Sequence, residues 1–142
     1  MNIHLTRKLY DQMISHSMRS LPNEACGILI QEASFSQTDE LQIHTFIPLH
    51  NQAAHPTKQF TINPIDMLPY LTDERRTIVG IFHSHPTAAS TPSAEDLLTL
   101  WHTIPTYWIL SLQHEENPDL QVYSLKKTTT TAYHKLSFVI GQ

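Results

Sequence analysis

At 142 residues and a net charge of −4, the chain is long enough to bury a core and is expected to form one domain over residues 1–142. Hydrophobic residues make up 40% and charged residues 15%, which excludes a disordered chain. No basic run exceeds the pairs Arg75-Arg76 and Lys126-Lys127, so a phosphate-tracking nucleic-acid surface is excluded too.

In chain order, Thr6 is placed to cap a helix to about Arg19, with Leu9, Tyr10, Met13, Ile14 and Ser17 on one face. Ala25–Ile30, Gln42–Leu49 and Gln59–Asn63 read as strands, rich in β-branched and apolar residues between polar breaks. Pro64 suits the first position of a short helix to about Leu71, which Pro69 must bend or end. "TIVGIF" (Thr77–Phe82) is a continuous apolar run of strand length, as a central strand buried on both faces requires. Ser93 is expected to start a helix to about His102. Strands near Tyr107–Leu112, Leu120–Leu125 and Ala132–Ile140 complete the chain, and Lys127–Thr131 reads as a turn. The order lacks regular βαβ alternation, and three glycines leave no Gly-rich phosphate cradle. The expected fold class is α+β, an α-β-α sandwich around a mixed, largely antiparallel sheet.

"MNIHLTRKLYDQM" lacks the apolar run of a signal peptide. No segment approaches the roughly 18 apolar residues of a membrane span. A cytoplasmic protein with no membrane or nucleic-acid partner is therefore expected. The single cysteine, Cys26, permits neither an intramolecular disulfide nor a Cys-rich zinc finger.

The chemistry concentrates in "IFHSHPTAASTPSAEDLL" (Ile81–Leu98). Residues i and i+2 of a strand share a face with Cα atoms about 6.6 Å apart, so His83 and His85 can converge on one ion where the apolar strand runs out. Asp96 follows His85 by eleven residues, at the start of the next helix. Two histidines and an aspartate make three ligands and leave a fourth position open, the arrangement of catalytic zinc sites. Ser93 has two compatible readings: an N-cap worth about 1 kcal/mol, or a hydroxyl beside the open position that donates to a developing oxyanion. An isolated HxH is more often incidental than not. From this chain's own residue frequencies, the full pattern HxHP-x6-SxxD arises by chance on the order of once per 10⁴ chains.

"HSHPTAASTPSAED" resembles the zinc signature of the JAMM metalloproteases, also called the MPN-plus or JAB domain family. "LPNEACGILI" resembles the upstream element that carries the family's glutamate, here Glu24, and "PLHNQAAHPTKQFTINP" resembles the small prokaryotic branch. The similarity spans about Leu5 to Trp101. It implies a JAMM/cytidine-deaminase-like core and one Zn2+ per chain on His83, His85 and Asp96. It further implies that Glu24 assists attack by the zinc's water and passes the proton to the leaving amine, with Ser93 holding the oxyanion. The substrate class it implies is a ubiquitin-like modifier or sulfur-carrier protein, hydrolysed after its C-terminal Gly-Gly. With only a short loop between Pro86 and Ser93, the chain resembles the compact prokaryotic forms and not the eukaryotic ones with gripping insertions.

Other zinc enzymes fit poorly: Pro86-Thr87-Ala88 replaces the continuation of HxHxDH, and one cysteine cannot supply PCxxC. The rival from another class is a non-catalytic zinc-binding module that recognises a ubiquitin-like partner. Cys26 reads as a small buried strand residue. His50, His55, His102 and His114 default to surface roles, with Asn51 and His55 candidates for lining a substrate groove. Trp101 and Trp108 read as core aromatics.

Overall fold

The structure, a computed structural model, describes residues 1–35, 39–99, 101, 103–127 and 131–142. The expected turn at Lys127–Thr131 falls largely on residues 128–130, outside the described residues, as does His102. No helix among the described residues is long and apolar enough to cross a membrane.

Six strands form the main sheet in the order β4 (Thr45–Leu49), β2 (Cys26–Glu32), β5 (Arg76–His85), β6 (Thr106–Ser111), β7 (Asp119–Lys127), β8 (Thr131–Leu136). All neighbours are antiparallel except β5 and β6, which are parallel. A small parallel sheet, β3 (Glu40–Gln42), β1 (Asn2–Thr6), β9 (Phe138–Gly141), lies apart from it in pairing. One helix covers each face of the main sheet, as an α-β-α arrangement demands. α1 (Arg7–Ser20) begins where Thr6 Oγ1 accepts from Leu9 N at 3.2 Å. It packs Leu9 and Met13 with β1 against Phe82, Trp108, Leu110 and Val122. α2 (Pro64–Leu71) starts at Pro64 behind the Asn63 cap and buries Met67 in the opposite core, with Ile62, Ile81, Ile109 and Tyr123. Each large side chain buried this way contributes roughly 1.5–3 kcal/mol.

The structure differs from the expectations at five points. β1 was not anticipated, although Ile3 and Leu5 alternate with polar residues and both are buried. Within Gln42–Leu49 only Thr45–Leu49 is one strand, β4; Gln42 is the last residue of β3, in the other sheet, with buried Ile43 between them. The stretch Ala132–Ile140 divides in the same way at Ser137. Gln59–Asn63 is not a strand. Its backbone groups bond to Asn51 and Gln52 instead of a ladder: Thr61 N donates to Asn51 Oδ1, and Gln52 N to Thr61 O. Nor does a helix run from Ser93 to His102. Among the described residues only a 3-10 turn, Asp96–Leu98, forms, because Thr99 Oγ1 accepts from Trp101 N at 3.1 Å and diverts the chain.

Within β2 and β5 the register changes between Leu29 and Ile30. Leu29 pairs Gly80 while Ile30 pairs Ile78, leaving Val79 as an extra residue of β5. The Thr106 hydroxyl donates to the Val79 carbonyl. Gly80 is required here, since a Cβ would lie 2.9 Å from both Thr106 Oγ1 and Trp108 Nε1.

Candidate active site

β5 ends on the two histidines, whose rings share a face because the strand alternates. The intervening Ser84 points the other way, and its Oγ accepts from Ala25 N at 2.8 Å while Ser84 N donates to Ala25 O at 3.0 Å. This pins the entry of β2 to the end of β5. Cys26 pairs His83, so continuing the antiparallel register sets Glu24 level with His85 on the same face. Four of the five expected site groups are thereby brought together by two adjacent strands and one turn.

His83 Nε2 lies 3.1 Å from Asp96 Oδ1, His85 Nε2 3.0 Å from Asp96 Oδ2, and the two Nε2 atoms are 3.0 Å apart. All three residues are buried, and they form a group able to hold a metal ion. The donor set fits a cation on physical grounds. His85 Nδ1 donates to the Ala89 carbonyl at 2.7 Å, so in the neutral ring its Nε2 presents a lone pair to the centre. A second imidazole nitrogen and two carboxylate oxygens converge on the same point, and such acceptors need a proton or a metal between them. The loop that supplies the Ala89 carbonyl is itself held, Ser111 Oγ donating to Ala88 O at 2.6 Å and Tyr123 Oη to Ser90 O at 2.6 Å.

Electrostatics divide the cluster. Burial lowers the pKa of His83, against its bond to Asp96. For His85 burial acts in the same sense but is outweighed by Asp96 and the Ala89 carbonyl, and its pKa is raised. Burial would raise Asp96, yet the two rings and the Ser93 N–H hold its carboxyl far below the usual range. Glu24 goes the other way: burial chiefly, with Asp96 and Glu95, pushes its carboxyl up to about 8, against the attraction of His85. Its Oε1 is buried and has no hydrogen-bond partner among the described residues. A carboxyl held near neutrality beside a cation site is suited to moving protons.

Ser93 is exposed at the rim. Its Oγ accepts from Asp96 N at 3.1 Å, and its N–H donates to Asp96 Oδ2 at 2.9 Å. The capping role is thus met by a turn instead of a helix, and the hydroxyl proton stays free to point outward.

Several residues that shape the site were not anticipated. Phe60 stacks on the His83 ring, centroids 4.4 Å apart and planes at 17°. With Trp101, Thr99 and Tyr107 it lines a cavity of about 420 Å³ that ends on Asp96. Trp101 packs, partly buried, against the core on the α2 side and also faces this cavity, whereas Trp108 is fully buried as expected. A second cavity, about 440 Å³, lies on the Glu24 side and includes His16, His50 and Asn51. His55 is exposed in a turn and lines neither cavity. Cys26 is fully buried, and burial, then Glu24, pushes its thiol up to about 12. It is expected to resist thiol-alkylating reagents in the folded protein at pH 8, and rapid labelling would contradict that environment.

The family described as prokaryotic homologs of the JAB domain matches residues 6–126. The chain belongs to this family. Members and relatives with which it shares sequence include tail tip assembly protein K of Escherichia phage N15, 28% identical over 70% of this chain and 40% of that protein. A desampylase from Haloferax volcanii is 28% identical over 61% of this chain and 63% of its own length. A CysO-cysteine peptidase from Mycobacterium tuberculosis is 26% identical over 82% and 78%. The chain thus spans less than two thirds of the first two. Among solved structures, a Desulfitobacterium hafniense protein superposes with a TM-score of 0.75 at 28% identity, over 99% of this chain and 94% of that one. A JAB1/MPN domain protein from Archaeoglobus fulgidus shares the fold, with a TM-score of 0.56 at 18% identity over the full length of both. The JAB fold and the resemblance read from "HSHPTAASTPSAED" therefore agree.

Proposed function

We propose that this JAB domain is a zinc metallopeptidase that hydrolyses the linkage after the C-terminal Gly-Gly of a ubiquitin-like modifier or sulfur-carrier protein. The observation that carries the proposal is the convergence of His83, His85 and Asp96 with Glu24 level beside them, an unpartnered carboxyl poised near neutral pH. Relatives named desampylase and CysO-cysteine peptidase support the substrate class.

His83, His85 and Asp96 would hold the zinc, which when bound polarises a carbonyl and acidifies water. Glu24 accepts the proton released as water attacks the scissile carbonyl and delivers it to the leaving amine. Because Glu24 lines the cavity on its own side and Asp96 the other, the amine departs on the Glu24 side. The acyl tail then lies along Phe60, Thr99 and Trp101. A Gly-Gly tail has no side chains and suits a groove closed down by these residues. Ser93 donates to the oxyanion from the rim.

The test is to incubate the protein with ubiquitin-like carriers extended beyond Gly-Gly and follow loss of the extension by mass spectrometry. Cleavage abolished by chelator and about one zinc per chain are expected. Binding of the carrier without any cleavage would instead identify an interaction module. Ser93→Ala is expected to slow turnover about 10²-fold, the scale for one oxyanion donor, with zinc content unchanged. Full activity in that variant would restrict Ser93 to capping.

A further inference from the structure

We infer that Asn51 is a positioning residue that ties the proton-handling glutamate to the loop lying over the metal ligands; the inference rests on the function proposed above. The Asn51 carboxamide uses its full hydrogen-bonding capacity. Nδ2 donates to the Glu24 carbonyl and to the Gln59 carbonyl, both at 2.9 Å, with Pro56 O more distant at 3.4 Å. Oδ1 accepts from Ala53 N at 3.0 Å and Thr61 N at 3.1 Å. The loop also holds Glu24 from its other end, since Glu24 N donates to Pro56 O at 2.7 Å. Both backbone groups of Glu24 are therefore bound to one loop, and neither belongs to the β2–β5 ladder, which begins at Cys26.

The same loop carries Phe60 onto the His83 ring. Asn51 bonds on either side of Phe60, to Gln59 O and Thr61 N, so one side chain sets both the stacking ring and the base. Glu24 has no side-chain bond of its own at Oε1, and its position depends on its backbone. A base displaced by about 1 Å can cost on the order of 10² in rate. Asn51 touches neither the reacting atoms nor the ligands, and acts through Glu24 and Phe60.

Asn51→Ala removes every bond, whereas Asn51→Asp keeps two acceptors and loses both donors, setting carboxylate oxygen against the Glu24 and Gln59 carbonyls. Asn63→Ala is the control: it removes the α2 cap bond to Ile65 N, a loss of about 1 kcal/mol, and leaves Glu24 alone. Measured well below the melting temperature on an extended carrier protein, both Asn51 variants are expected to lose about 10²-fold in kcat with KM changed less than threefold and zinc content unaltered, while Asn63→Ala keeps its kcat. Amide exchange at Glu24 is expected to accelerate in both Asn51 variants only. Restored kcat in Asn51→Asp, or equal losses in Asn63→Ala, would overturn the assignment and leave Asn51 a loop-folding residue. If the wild type cleaves no carrier, the proposed function fails, and exchange at Glu24 alone decides this inference: protection unchanged in Asn51→Ala overturns it.

Discussion

Replacing Glu24 by glutamine is expected to lower turnover by roughly 10²–10⁴-fold while leaving zinc bound, because general acid–base work is lost and the ligands are untouched. The isostere keeps the backbone bonds to Pro56 and Asn51, so misplacement is not introduced. Assay on an extended carrier protein with parallel metal analysis checks it, and an active, zinc-loaded variant would remove Glu24 from proton transfer. A second measurement tests the environment itself. In the metal-free protein the folded Glu24 carboxyl titrates at about 8 against a usual 4.5. A raised acid pKa means that the native state binds the proton more tightly than the unfolded chain, so stability falls as pH climbs from about 4.5 to 8. The glutamine variant escapes that cost. Its advantage over the wild type should be absent near pH 4, grow through this window and level off above it, as denaturant midpoints at several pH values would reveal. Equal stability at pH 8.5 would mean that the carboxyl is better solvated than its burial implies.

Asp96→Ala is expected to reduce metal affinity by at least about 100-fold, more than outer-shell changes typically cost. In the metal-free protein it should also destabilise by about 3 kcal/mol, since it breaks a buried charge pair. The Asp96 carboxylate accepts from the Ser93 N–H and faces both imidazoles, so its loss frees the turn as well as the rings. Dialysis against a zinc buffer measures the first effect and thermal melting with chelator the second. Undiminished zinc affinity would show that the two histidines suffice or that another group replaces Asp96.

The cluster of His83, His85 and Asp96 is legible because each member obeys a local rule. His83 and His85 share a strand face, and Asp96 sits one tight loop beyond them. Even there the expected helix does not form, yet Asp96 still meets the two rings, because Ser93 needs only a turn to place it and Thr99 diverts the chain. Glu24 carries no such rule. Its role came from resemblance alone, and the physical reason it reaches the histidines is a strand register that no periodicity announces. Phe60 and Ser84 stayed hidden for a related cause, and Asn51 was legible only as a groove candidate, not as a loop tie. Each acts on backbone or on a ring from a distant segment, and a polar or aromatic residue looks the same in the sequence whether it organises the chain or faces water. The fold was easier: the α1 cap, the α2 start and the central β5 follow from Thr6, Pro64 and the apolar run before His83. The small sheet is hard to read because its strands are short, β3 starting among polar residues and β9 running on from the longer stretch read as one strand.

The extra residue at Val79 has a consequence for how such a chain can change. On the His83 side of it, every pair of β2 and β5 keeps one alignment, and Glu24 inherits its distance to His83 and His85 from that alignment. On the far side the alignment is already offset by one. A length difference arising near Glu32 and Arg76, at the far ends of β2 and β5, can be absorbed at this joint before it reaches Glu24 and the histidines. A two-residue slip that crossed it would keep the same faces buried yet carry Glu24 about 6.6 Å along the strand, giving an intact domain with a silent site.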